Sequence, residues 1–235
     1  MPMNVLRHIP ANQRQLIHGA YQVTIPVALD TLEVSDFQSE QLELPFPLLY
    51  AVKKRQIEYL CGRFCARLCF EAMGLRPAPP VTFNEDRSPG WPKGYIGSIT
   101  HTQGWASAVV AQQTQVRGVG VDIENKIVDA SPQMTKHICC EPRELTDVEQ
   151  ALGLERSLAL TLIFSAKESL YKAVYPWLQR YYGFHAARVR PTLGGALLIE
   201  LMTDLNDHLL QGQQWPVAFR FLSPELVETL VIEAV

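Results

Sequence analysis

An α+β fold is what the order of elements predicts, and three observations predict it. Strand-like runs come in blocks, followed or preceded by long helical patterns, and do not alternate with helices one for one. Each half of the chain carries one long helix and several strands. The last three strand-like runs are joined by short polar connectors, the spacing of antiparallel neighbours.

The elements follow in chain order. The segment Tyr21–Val34 (YQVTIPVALDTLEV) mixes β-branched and apolar residues, and Pro26 limits it to an edge or broken strand. A helix is predicted from about Leu48 to Met73, stopped by Gly74 and Pro77. Its buried face is Ile57, Leu60, Cys61, Phe64 and Leu68 at helical spacing. Residues 76–94 are rich in Pro and Gly and predict a loop. Strands are then predicted at Tyr95–Thr100, Trp105–Ala111 and Val116–Ile123. Residues 125–155 are polar and mixed, with a helix around Pro142–Gln150. A stronger helix spans Arg156–Leu178. Strands at Ala196–Met202, Trp215–Leu222 and Val227–Ile232 close the chain.

Length and composition bound the function. The 235 residues suffice for one large domain or two small ones. Hydrophobic residues make up 47% and charged residues 19%, a globular balance that argues against disorder. A net charge of -3 gives no global signal for nucleic acid. No apolar run approaches the roughly 18 residues of a membrane span. The opening MPMNVLRHIP has no apolar signal-peptide region, so a cytoplasmic location is expected. The cysteine count is odd, at five. Cys61, Cys65 and Cys69 recur every four residues on one helix side and read as small core residues rather than as a metal site. Cys139 and Cys140 read as incidental.

The chemistry is carried by acidic and basic residues at telling spacings. In Gly118-Val119-Gly120-Val121-Asp122-Ile123-Glu124, strand alternation turns Val119, Val121 and Ile123 toward the core. Gly118, Gly120, Asp122 and Glu124 share the other face, where the two carboxylates stand roughly 7 Å apart along the strand. Converging side chains could hold one hard cation such as Mg²⁺, and the glycines leave room for a ligand to approach. The plainer alternative is a solvated strand face. On the helix after Arg156, Ser157, Thr161, Ser165, Glu168 and Lys172 form one narrow polar stripe on an otherwise apolar surface. A carboxylate there needs a cation, and Lys172 is placed at i+4 to supply one. The alternative is a simple intrahelical pair. Thr100 and His101 end a strand and could donate to phosphate oxygens. Arg55 and Arg63, eight apart on one side of the first helix, and Arg87 in the loop are further phosphate candidates.

Taken together, the strings RSPGWPKGYIGSITH (87–101), GVGVDIE (118–124) and LALTLIFSAKESLYKA (158–173), with the helix KKRQIEYLCGRFCARLCFEAMG (53–74), resemble the 4′-phosphopantetheinyl transferases. The likeness is to their long form, associated with surfactin and enterobactin synthetases, and is nearest to the enterobactin-associated subgroup. It covers roughly residues 45–180. Many members carry Trp before the Ser-x-Lys-Glu string; Phe164 stands there in this chain, as in that subgroup.

The resemblance implies a pseudodimer of two α+β halves, each a long helix on a small antiparallel sheet, with coenzyme A in the cleft between them. Residues 1–115 would be the nucleotide-binding half and 116–235 the metal-binding and catalytic half. The reaction would move phosphopantetheine from coenzyme A to a serine of an apo acyl or peptidyl carrier protein. Asp122, Glu124 and Glu168 would hold Mg²⁺, with Mn²⁺ as a substitute. Glu168 would also be the candidate base for the carrier serine, directly or through water. Lys172, with Lys167 beside it, would contact the phosphates together with Thr100 and His101. Arg55, Arg63 and Arg87 would grip the nucleotide end. A monomer is expected, and residues 125–150 together with the helix after them are expected to choose the carrier. Two other readings are a non-catalytic binder of coenzyme A or carrier, and a Mg²⁺ phosphohydrolase of coenzyme A-like nucleotides.

Overall fold

A computed structural model describes Leu6 and residues 9–235. The amino-terminal stretch that bears on cytoplasmic location lies mostly outside the described residues. The chain divides into two compact units, one ending at Arg117 and joined by Val235, the other spanning Gly118–Ala234.

The first unit is built on a four-stranded sheet and one long helix. Its strands are β1 (Asn12–Gln15), β2 (Tyr21–Pro26), β5 (Tyr95–Thr102) and β6 (Trp105–Gln112). They lie in the order β1-β2-β6-β5, with antiparallel pairing throughout. β2 is therefore an interior strand, not an edge strand. Pro26 is its last residue, opposite Trp105, so its missing N–H costs only the end of the ladder. β5 and β6 are joined by the two residues Gln103 and Gly104, with Gly104 at φ +81°, the kind of short turn that sets a hairpin register. A two-stranded ribbon, β3 (Thr82–Phe83) with β4 (Pro89–Gly90), interrupts the expected loop.

Helix α1 runs Lys53–Ala72, and Gly74 at φ +86° ends the turn after it. The apolar face read from the sequence is its buried face: Ile57, Leu60, Cys61 and Phe64 are at most 1% exposed. These pack with Val23, Ile25, Ala106 and Ala108 of the sheet into one core. Cys61, Cys65 and Cys69 belong to that core, as expected, and the Cys65 and Cys69 thiols donate to Ala106 O and Ala108 O. Burial raises the Cys61 thiol from its ordinary 9.0 to about 12, and the nearby Glu58 carboxylate adds to this. The Cys69 thiol is raised by burial as well. A group whose pKa is raised on folding contributes stability that is complete below its unfolded pKa. That stability is lost as pH climbs toward the folded pKa. Unfolding free energy is therefore expected to fall from about pH 9 upward. Urea titrations at pH 8, 9 and 10 check this, and Cys61→Ala should flatten the decline.

The second unit has strands β7 (Val116–Asn125), β8 (Ala187–Pro191), β9 (Leu197–Leu201), β10 (Gln214–Ser223) and β11 (Leu226–Ala234). Their order is β7-β11-β10-β9-β8. Helices α2 (Pro132–Ile138), α3 (Pro142–Leu152) and α4 (Arg156–Leu178) complete it. α2, β1 and β8 are elements the sequence patterns did not reveal; each is short. α4 buries Leu160, Ile163, Leu170 and Val174 against Ile199, Val227 and Val231. Its small hydroxyls face strand β11: Ser165 and Ser169 both hydrogen-bond Thr229 Oγ1, at 2.9 and 2.7 Å.

Candidate functional site

Strand β7 and helix α4 build the carboxylate site by a close backbone approach. A Cβ on Gly120 would stand 1.9 Å from Ser169 O, and one on Gly118 would stand 2.4 Å from Ala173 O. The glycine face is thus used by helix α4 itself, which corrects the expectation that it leaves room for a ligand. The consequence is that α4 lies directly on the strand face carrying Asp122 and Glu124. On the other side Val119, Val121 and Ile123 are fully buried as well, so both faces of this stretch are covered.

The stripe read on α4 has a tertiary purpose. Thr161 Oγ1 donates to Ser157 O and accepts from Ile127 N, which ties the end of β7 to the helix. About three turns further on, Lys172 reaches across to the strand. Its Nζ stands 2.6 Å from Asp122 Oδ1 and 3.2 Å from Val121 O. Lys172 therefore forms its ion pair between elements, with a carboxylate that is only 3% exposed. A buried carboxylate of this kind is tolerated because the ammonium sits on it.

Glu124 and Glu168 complete the group electrostatically. Burial raises the Glu124 carboxyl from its ordinary 4.5 to about 7, and Asp122 and Glu168 push it the same way while Lys172 opposes them. Burial also raises Glu168, with Lys172 lowering it and Asp122 raising it. Three carboxylates repel one another around a single ammonium, so the group is short of positive charge. Oxygen donors of this type fit a hard divalent cation. Among the described residues, no three His, Cys, Asp or Glu side chains stand gathered into a ready metal cage. A small cavity of about 80 Å³ opens beside Glu168, walled by Tyr171, Tyr181, Tyr182 and Phe184.

In the first unit, Arg55 and His101 come together. Arg55 Nη1 lies 2.6 Å from His101 Nε2. A guanidinium can only donate, so Nε2 is the accepting nitrogen and Nδ1 carries the proton. That Nδ1 stands 3.8 Å from Glu58 Oε2. Glu58 was missed in the sequence; its position three residues after Arg55 was the available signal. Thr100 is on the same strand and 5% exposed.

Arg63 goes elsewhere. It is buried, donates to Val81 O and Thr82 O, and its guanidinium lies 4.5 Å from the Tyr59 ring centroid. With Tyr59, Arg67 and Phe83 it lines a cavity of about 440 Å³. Arg87 is exposed in the turn between β3 and β4 at φ +69°. Lys167 departs most from expectation. It is 3% exposed and its ammonium is engaged by Glu144 and by backbone carbonyls, so it is not available to a phosphate.

Two family models match the chain. A family model described as the 4′-phosphopantetheinyl transferase N-terminal domain matches residues 47–111. A second, described as the 4′-phosphopantetheinyl transferase superfamily, matches residues 118–222. The chain is 30% identical over 174 residues to the 4′-phosphopantetheinyl transferase Npt of Nocardia iowensis, covering 72% of this chain and 75% of that protein. It is 37% identical over 161 residues to enterobactin synthase component D of Escherichia coli (strain K12), covering 64% and 73%. It is 35% identical over 143 residues to the 4′-phosphopantetheinyl transferase PptT of Mycobacterium tuberculosis (strain ATCC 25618 / H37Rv), covering 59% of this chain and 60% of that protein.

Proposed function

The chain belongs to the 4′-phosphopantetheinyl transferase superfamily, and on that premise we propose that it transfers 4′-phosphopantetheine from coenzyme A to a serine of an apo acyl or peptidyl carrier protein. The observation that carries the proposal is the meeting of Asp122, Glu124, Glu168 and Lys172 on one strand face and one helix. The serine oxygen forms a bond to the phosphorus bearing pantetheine. The bridging P–O bond breaks, and adenosine 3′,5′-bisphosphate leaves. The serine proton goes to Glu168, whose raised basicity suits a base.

Lys172 steadies the pyrophosphate and the leaving oxygen. Asp122, Glu124 and Glu168 would hold Mg²⁺, or Mn²⁺ in its place. Such a cation would supply charge neutralisation at the pyrophosphate. Thr100, His101 and Arg55 are assigned to the donor's phosphates. Arg63 and Arg87 are assigned to its nucleotide end, Arg63 from the wall of the larger cavity. The tyrosine-lined cavity beside Glu168 suits part of the uncharged amide-and-thiol chain of pantetheine.

The proposal extends to a monomer in a reducing cytoplasm; the reduced state of Cys61, Cys65, Cys69, Cys139 and Cys140 supports the reducing compartment. Among the described residues, no helix is long and apolar enough to cross a membrane. The test is a panel of apo carrier proteins from fatty-acid and siderophore synthesis, incubated with coenzyme A and Mg²⁺. One carrier or more is expected to gain a single phosphopantetheine by mass, and chelation should abolish the gain. No gain on any carrier would refute the proposal.

A further inference from the structure

We propose that Lys167 is a positioning residue, bracing the wall of the cavity beside Glu168 through Phe184, and not a phosphate ligand. The inference rests on the transferase reading for its kinetic consequences. Its geometry lies wholly within the second unit. Lys167 Nζ stands 2.8 Å from Glu144 Oε1, 2.7 Å from Ile138 O and 3.2 Å from Phe184 O. An ammonium has three N–H donors, and three acceptor residues use them. Cys140 Sγ adds a weaker contact at 3.7 Å.

Glu144 extends the brace. Its Oε2 accepts from Cys140 N at 2.6 Å and its Oε1 from Val189 N at 2.8 Å. The Cys140 thiol in turn donates to Ala187 O at 2.9 Å. One buried ion pair therefore ties α4 to two segments distant in sequence, 138–144 and 184–189. The second of these begins with Phe184, which lines the cavity together with Glu168, Tyr171 and Tyr182. Phe184 also packs on Phe164 of α4, with ring centroids 5.3 Å apart. Lys167 and Glu168 are neighbours in sequence but roughly 100° apart around the helix, so one faces the brace while the other faces the reacting groups. An ion pair this buried is costly unless fully bonded, and its loss lets the wall move. A shift of about 1 Å at such a wall can lower turnover about 100-fold.

The test compares the full chain with Lys167→Met, Glu144→Gln and the double variant. It measures kcat per folded molecule, KM for coenzyme A, and amide hydrogen exchange of residues 138–144 and 184–189. Each single variant leaves a buried charge alone and is expected to lower kcat at least about tenfold, with the coenzyme A KM within about threefold. Exchange in both segments should quicken. The double variant leaves no lone charge and should fold, but it still lacks the Nζ bond to Phe184 O, so its kcat is expected to stay lowered while the coenzyme A KM stays within about threefold.

Three results would overturn the proposal. The first is a raised coenzyme A KM in Lys167→Met with Glu144→Gln silent, as a phosphate ligand requires. The second is unchanged kcat of the folded fraction in both singles, as a purely stabilising pair requires. The third is exchange that does not change. Should the parent chain fail to modify any carrier, the transferase reading falls, while the exchange data still decide the brace.

Discussion

Replacing Gly120 by alanine is expected to destabilise the second unit by about 3 kcal/mol or more and to abolish activity, because overpacking against backbone cannot be relieved by a side-chain rotation. The added Cβ would stand 1.9 Å from Ser169 O and 2.7 Å from Ala173 N. Both are main-chain atoms of α4, so the helix must lift from the strand as a body. Lifting it strains the Ser165 and Ser169 bonds to Thr229 and pulls Lys172 from Asp122. Gly120 is needed for close approach, since the strand backbone there is extended and any residue could adopt it. Urea unfolding with a matched activity assay checks the prediction, and a midpoint equal to that of the parent chain would count against the packing described. Gly118→Ala should act in the same direction and less severely, since its nearest contact is 2.4 Å.

Glu168→Gln is expected to lower turnover by about 10² to 10⁴-fold, the contribution of a positioned base. The fold should survive. The neutral amide removes one member of a crowded carboxylate group, because Asp122 and Glu168 each push the Glu124 carboxyl upward. Melting temperature is therefore expected to stay constant or rise while activity disappears. Such an opposition is usual where a site keeps like charges together for function. Mass detection of the modified carrier together with thermal melting reads both effects. Retained turnover would mean that another carboxylate is the base.

Much of this site is legible in the linear chain, for a simple reason. Asp122 and Glu124 are two apart on a strand, and Glu168 and Lys172 are four apart on a helix, so local periodicity alone says which residues share a face. The same periodicity identifies Ile57, Leu60 and Phe64 as core and places α4 to the residue. Where periodicity has too few residues to act on, it fails: α2 has seven residues and β1 has four. Pro26 misled for a related reason, since a proline at the last position of a strand leaves the strand free to be interior.

Partners are another matter, because they come from distant segments. Arg55 and Arg63 share a helix side in the sequence, but carbonyls of Val81 and Thr82 draw Arg63 inward while Arg55 meets His101. Lys167 and Lys172 both look like phosphate ligands beside Glu168. Glu144 and the carbonyls of Ile138 and Phe184 bury the first, whereas the second pairs with Asp122 and stays partly exposed beside the carboxylates. By itself the sequence determined the α+β class, the two long helices and the faces shared by Asp122 with Glu124 and by Glu168 with Lys172. Only the tertiary structure decided which partner each charge takes, as in the pairing of Lys167 with Glu144 and of Lys172 with Asp122. A side chain's face follows from the local repeat of its own element, whereas its partner follows from how remote elements pack.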